Sequence, residues 1–132
     1  MPALILKAAT VKYFHIPDMK RFWTAFLNTC NGLRWGFRNE TAVMQELVAL
    51  ALALPLAFLV SDSGYVRIAL IGSVMLLVIV ELLNTAIEKL CDHLSPALSA
   101  QIKVVKDLGS AAVFGALVLA AATWLVAVSR LL

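Results

Sequence analysis

Glu81, Asn84, Glu88 and Asp92 follow one another at steps of three and four residues. At about 100° per residue they share one face of a helix. The thirteen residues before them, Ile68 to Val80, carry no charge. A bilayer takes about 20 apolar residues, so the span must run on past Glu81 to near Ile87. Glu81 then lies roughly 9 Å inside the hydrocarbon boundary at about 1.5 Å per residue. A carboxylate in lipid costs at least about 2.5 kcal/mol, which makes this stripe a functional candidate. Carboxylates near Lys and Arg at a membrane surface can hold Mg²⁺ and a polyphosphate together, because Mg²⁺ takes one or two protein carboxylates and completes its shell with phosphate oxygens and water. Phosphoryl transfer further needs a carboxylate to accept the proton of the attacking hydroxyl. Glu81, the deepest acid, suits that general base towards a lipid alcohol. Glu88, about 10 Å further along the face, is nearer water, where a metal nucleotide can reach it. Neither G-x-x-x-x-G-K-[ST] nor G-x-G-x-x-G occurs in the chain, so the familiar phosphate loops are absent.

The composition names the setting. The 132 residues are 62% hydrophobic and 14% charged, with a mean hydropathy of +0.92. These values exclude an ordinary water-soluble domain and predict an all-α integral membrane protein. Three spans are expected, at about residues 42–60, 66–88 and 108–129. The first has Glu46 drawn into the membrane region and Pro55 as a possible kink, and the third is uncharged until Arg130. Gly109, Ser110, Ala111, Ala112, Gly115 and Ala116 make the start of the third span suited to close helix contact. Between the first two spans, Ser61-Asp62-Ser63-Gly64 reads as a tight turn, followed by Arg67 snorkelling at the next helix start. Residues 92–107 read as a polar connection broken by Pro96.

Ahead of the spans, Met19, Phe22, Trp23, Phe26, Leu27 and Cys30 repeat with helical period opposite Lys20, Arg21, Thr24, Asn28 and Asn31. This pattern predicts an amphipathic helix on the membrane surface, starting near Pro17-Asp18 and stopping at Gly32. Residues 1–20 read as an extension, and their lack of a basic stretch followed by a long apolar run argues against a cleaved leader. Six Lys and Arg precede the first span, one lies in the turn, three flank the second connection and one lies at residue 130. The excess of positive charge puts the N-terminus and the second connection in the cytoplasm. Glu40, Glu46, Glu81, Glu88, Asp92, Lys106 and Asp107 then gather at one leaflet. Cys30 and Cys91 fall on that side as free thiols, without zinc-ligand spacing. Trp23, Trp35 and Trp124 fit interfacial anchors.

The run Glu81-Leu82-Leu83-Asn84-Thr85-Ala86-Ile87-Glu88 with Asp92, and the run Lys106-Asp107-Leu108-Gly109-Ser110-Ala111-Ala112-Val113, closely resemble the prokaryotic diacylglycerol kinase family. Asn39-Glu40 and Gln45-Glu46 also fit, so the likeness covers about residues 21–130. The resemblance implies three spans with a surface helix, assembled as a homotrimer in the bacterial inner membrane with a cytoplasmic N-terminus. The implied reaction moves the ATP γ-phosphate to diacylglycerol with Mg²⁺, forming phosphatidic acid. On that basis Glu81 and Asn84 are catalytic, and Glu40 and Glu88 hold the metal. Arg21, Glu40, Glu88, Asp92, Lys106 and Asp107 contact ATP, and Arg21, Glu46, Glu81 and Ser110 contact the lipid. The chain departs from the family at Asn28-Thr29-Cys30, where Tyr-Ser-Trp is usual. It also lacks Glu-Tyr-His within residues 95–100 and has Val105 in place of alanine. Two other activities compete: the related undecaprenol kinase, and a proton-coupled exporter in which a membrane glutamate binds substrate and proton alternately. A purely structural membrane oligomer is a third possibility. Nucleic acid is not an expected partner.

Overall fold

The computed structural model describes residues 19–94 and 99–131, all but the turns of which are α-helical. Four helices follow in order: α1 Met19–Asn39, α2 Thr41–Val60, α3 Gly64–Leu94 and α4 Ala100–Val128. The chain divides into two units, residues 1–32 and 33–132. Residues 1–18, with the expected helix start at Pro17-Asp18, and Pro96 lie outside the described residues.

In the first unit, α1 begins at Met19, and the Trp23 and Phe26 rings stack with centroids 5.8 Å apart. The expected stop at Gly32 does not occur, because α1 continues to Asn39. One interior glycine costs a helix about 1 kcal/mol, less than abandoning the hydrogen-bonded turns that follow it. The break comes instead at Glu40, whose backbone is extended at φ −123°, ψ 115°.

In the second unit, α3 packs against both α2 and α4. All three are long and apolar enough to cross a membrane. Buried small side chains set the approach: Ala53 and Ala57 on α2, Ser73 on α3, and Ala116, Ala120 and Ala127 on α4. Lipid offers helices little hydrophobic reason to associate, so close packing and hydrogen bonds must hold them. Trp124 supplies one such bond, its indole N–H donating to the Leu70 carbonyl at 3.1 Å. It is thus a cross-helix tie, a role beyond the interfacial anchoring that the sequence predicts. Ala57, Leu70 and Ala127 form a core around which Val60, Val66, Ile71 and Trp124 pack. At the α2–α3 turn Arg67 stacks over the Phe58 ring at 4.5 Å. Its Nε donates to the Ser61 carbonyl at 2.6 Å, and its charge pairs with Asp62 at 3.2 Å. The turn is thereby tied down by the arginine expected only to reach for water.

The connection read over residues 92–107 is mostly helix, since α3 runs to Leu94 and α4 begins at Ala100. Ser99 explains the early start: its hydroxyl accepts the Ile102 N–H at 3.2 Å, a standard helix cap. Lys103, Lys106 and Asp107 therefore ride on α4 and are positioned by it.

Candidate active site

Glu81 and Asn84 are buried on α3, with 7% and 8% of their surface exposed. Glu88 is half-buried one turn on and accepts a hydrogen bond from Asn84 Nδ2 at 3.2 Å. The other amide atom, Asn84 Oδ1, is buried without a donor, as is Glu46 Oε2 on α2. Glu46 lies within electrostatic reach of Glu81, and Glu81 within reach of Glu88 and Glu40. Four carboxylates drawn from α2, α3 and the α1–α2 junction thus share one region, with two orphaned oxygens among them.

Two glycines let the backbone close around this region. A methyl group at Gly109 of α4 would run into Asn84 Oδ1, so any side chain there would require the amide to turn or α4 to move. At Gly36 a methyl group would meet Val43 Cγ1 at 2.9 Å and Leu82 Cδ2 at 3.6 Å. That tight corner sits one turn before Glu40, whose N–H returns to the Gly36 carbonyl at 2.9 Å. Glu40 occupies the cap position of α2 but makes no side-chain cap. Its carboxylate reaches Lys89 of α3 instead, at 2.7 Å.

The remaining predicted residues divide. Lys106 Nζ reaches across to Asp92 at 2.6 Å, joining α4 to α3, and lies within electrostatic reach of Glu88. Asp107 pairs along its own helix with Lys103 at 2.6 Å. Ser110 is exposed on α4 beside Gly109. Arg21 belongs to the first unit, where it lines a shallow hollow with Lys20, Thr24, Ala25 and Asn28. Among the described residues no group of three or more His, Cys, Asp and Glu converges as a metal site. Both thiols are free, Cys30 exposed and Cys91 buried. Sequence reasoning passed over Lys89, Lys103 and the fit of Gly109 to Asn84. Lys103 was findable from its four-residue step to Asp107, whereas the partner of Lys89 lies on a separate element.

The sequence profile of the family described as prokaryotic diacylglycerol kinase matches residues 27–128. The chain belongs to this family. A diacylglycerol kinase of Escherichia coli (strain K12) is 43% identical over 93 residues, covering 70% of this chain and 76% of the relative. One of Pseudomonas aeruginosa is 38% identical over 106 residues, covering 80% and 86%. One of Haemophilus influenzae is 36% identical over 93 residues, covering 70% and 79%. The segment shared with the prokaryotic diacylglycerol kinases takes in Glu40, Glu46, Glu81, Asn84, Glu88, Asp92, Lys106, Asp107 and Ser110, while Arg21 precedes it.

Proposed function

We propose that this chain is a membrane lipid kinase that transfers the ATP γ-phosphate to diacylglycerol, forming phosphatidic acid. The observation that carries the reading is that the family-matched segment holds the whole carboxylate cluster, with Glu81 and Asn84 buried on a membrane-length helix. A buried acid beside lipid suits a substrate whose reacting hydroxyl comes from the membrane. A water-borne nucleotide would approach from the exposed end of the same face, at Glu88, Asp92 and Lys106.

In this reading the Glu81 carboxylate takes the proton of the lipid hydroxyl as its oxygen attacks phosphorus. Asn84, tied to Glu88 and with its Oδ1 unpaired, would act beside Glu81 in the same region. Glu46 Oε2, buried and without a donor, is suited to accept a hydrogen bond from the glycerol end of the lipid. Lys106 and Asp107 contact the nucleotide, Ser110 the lipid, and Arg21 either phosphate or lipid headgroup. The donor set fits a hard divalent cation: it is oxygen only, and the Asn84 oxygen lacks a hydrogen-bond donor. Glu40 and Glu88 would hold Mg²⁺, which when bound neutralises charge on the phosphates.

We further propose a homotrimer in the bacterial inner membrane, with the N-terminus cytoplasmic and α1 on the membrane surface. Support comes from α4, where Ser110, Ala111, Ala112 and Gly115 are exposed on a membrane-length helix and Gly115 has open space around it. Such small residues suit contact with a second copy. A phosphate-transfer assay with Mg²⁺ and ATP, comparing dioleoylglycerol with a polyprenol, tests the activity. Transfer to dioleoylglycerol is expected. Preference for the polyprenol would reassign the chain to undecaprenol phosphorylation, and proton-coupled uptake without transfer would make it an exporter.

A further inference from the structure

Lys89 is the cation best placed to answer the acidic cluster. Its ammonium touches the Glu40 carboxylate at 2.7 Å and stands over the Trp35 ring, 5.6 Å from the centroid. It also lies within electrostatic reach of Glu88 and Asp92. The pair bridges two elements, the α1–α2 junction and α3, so it is set by the fold and not by neighbouring turns of one helix. Glu40, at the start of α2, makes no side-chain cap and directs its carboxylate to this lysine. The lysine side chain is half exposed while Glu40 is the more enclosed partner, which leaves Lys89 free to swing away while the acid stays in place.

Resting on the kinase reading, we infer that Lys89 is a nucleotide-phosphate ligand stored on Glu40, and that it exchanges partners when the metal nucleotide arrives. An ammonium and a divalent cation cannot both sit against one carboxylate without repulsion. Entry of the metal at Glu40 therefore displaces the lysine. The displaced ammonium, kept on the same face by Glu88 and Asp92, meets the incoming phosphates, which carry the charge it has lost. Lys89 thus has two opposed effects. It competes with a bare divalent cation, and it strengthens binding of the cation when phosphates come with it. The site is tuned towards the metal–nucleotide complex over free metal.

The test uses the full chain in lipid nanodiscs, with Mn²⁺ as the probe of the metal position, read by electron paramagnetic resonance, and MgATP binding read by calorimetry. Lys89→Met is expected to bind bare Mn²⁺ about fivefold more tightly, because the metal no longer has to displace an ammonium from Glu40. The same variant is expected to bind MgATP about tenfold more weakly, as for a lost charge-assisted phosphate contact. Lys89→Arg keeps the charge and should stay near the parent in both measurements. Unchanged Mn²⁺ affinity in Lys89→Met, in a parent chain that binds MgATP and phosphorylates diacylglycerol, would overturn this inference and leave the kinase reading standing. A parent chain that binds neither Mn²⁺ nor MgATP would overturn both.

Discussion

Glu81 and Asn84 occupy positions where polarity is costly, buried on a membrane-length helix, and this burial supports the proposed catalytic use of both groups. Replacing Glu81 with Gln keeps size and hydrogen-bonding capacity but removes the proton acceptor. Phosphate transfer to diacylglycerol should fall by about 10²- to 10⁴-fold, while ATP binding and oligomer mass stay near the parent. A variant that merely loses stability, with turnover per folded molecule unchanged, would instead mark Glu81 as a structural contact. Lys106, paired with Asp92, is proposed to contact the nucleotide. Lys106→Gln should raise the KM for ATP by about tenfold, as for a lost charge-assisted contact, with a smaller effect on the KM for lipid.

Helix packing decides whether those side chains meet. Gly109 permits α4 to lie against the Asn84 amide, so Gly109→Ala must turn the amide away or push the helix back. The Asn84–Glu88 hydrogen bond is then strained, and kcat should drop by about 10²-fold, as for a misplacement of about 1 Å in a reacting group. Circular dichroism should show the helices intact. Further along the bundle, the Trp124 indole bond to Leu70 holds α4 to α3 away from the acids. Trp124→Phe should lower stability in mixed micelles by about 1 kcal/mol and leave the KM for ATP unchanged, which separates fastening from chemistry.

For the whole molecule, the proposed orientation has a direct readout in thiol labelling. Cys30 is exposed on α1, and Ser63 is exposed in the α2–α3 turn. With the N-terminus inside, a membrane-impermeant maleimide added to spheroplasts should label Ser63→Cys and miss Cys30 until the membrane is opened. The reverse pattern would put the acids at the outer leaflet, away from cytoplasmic ATP.

The number of helices, their membrane character and the stripe Glu81-Asn84-Glu88-Asp92 were all legible in the chain, because hydrophobic run length and helical period are local properties. The motifs around Glu81 and Lys106-Asp107 carried the family resemblance for the same reason. Element limits were less legible: α1 passes through Gly32, and α4 begins at Ser99's cap, well before the uncharged run. Those ends depend on a single glycine's small cost and one serine's hydrogen bond, which a hydropathy count does not weigh. Only the tertiary structure put Lys89 on Glu40, Lys106 on Asp92 and Gly109 under the Asn84 amide. Each of these joins separate elements, so its geometry comes from how the helices pack and not from any spacing along the chain.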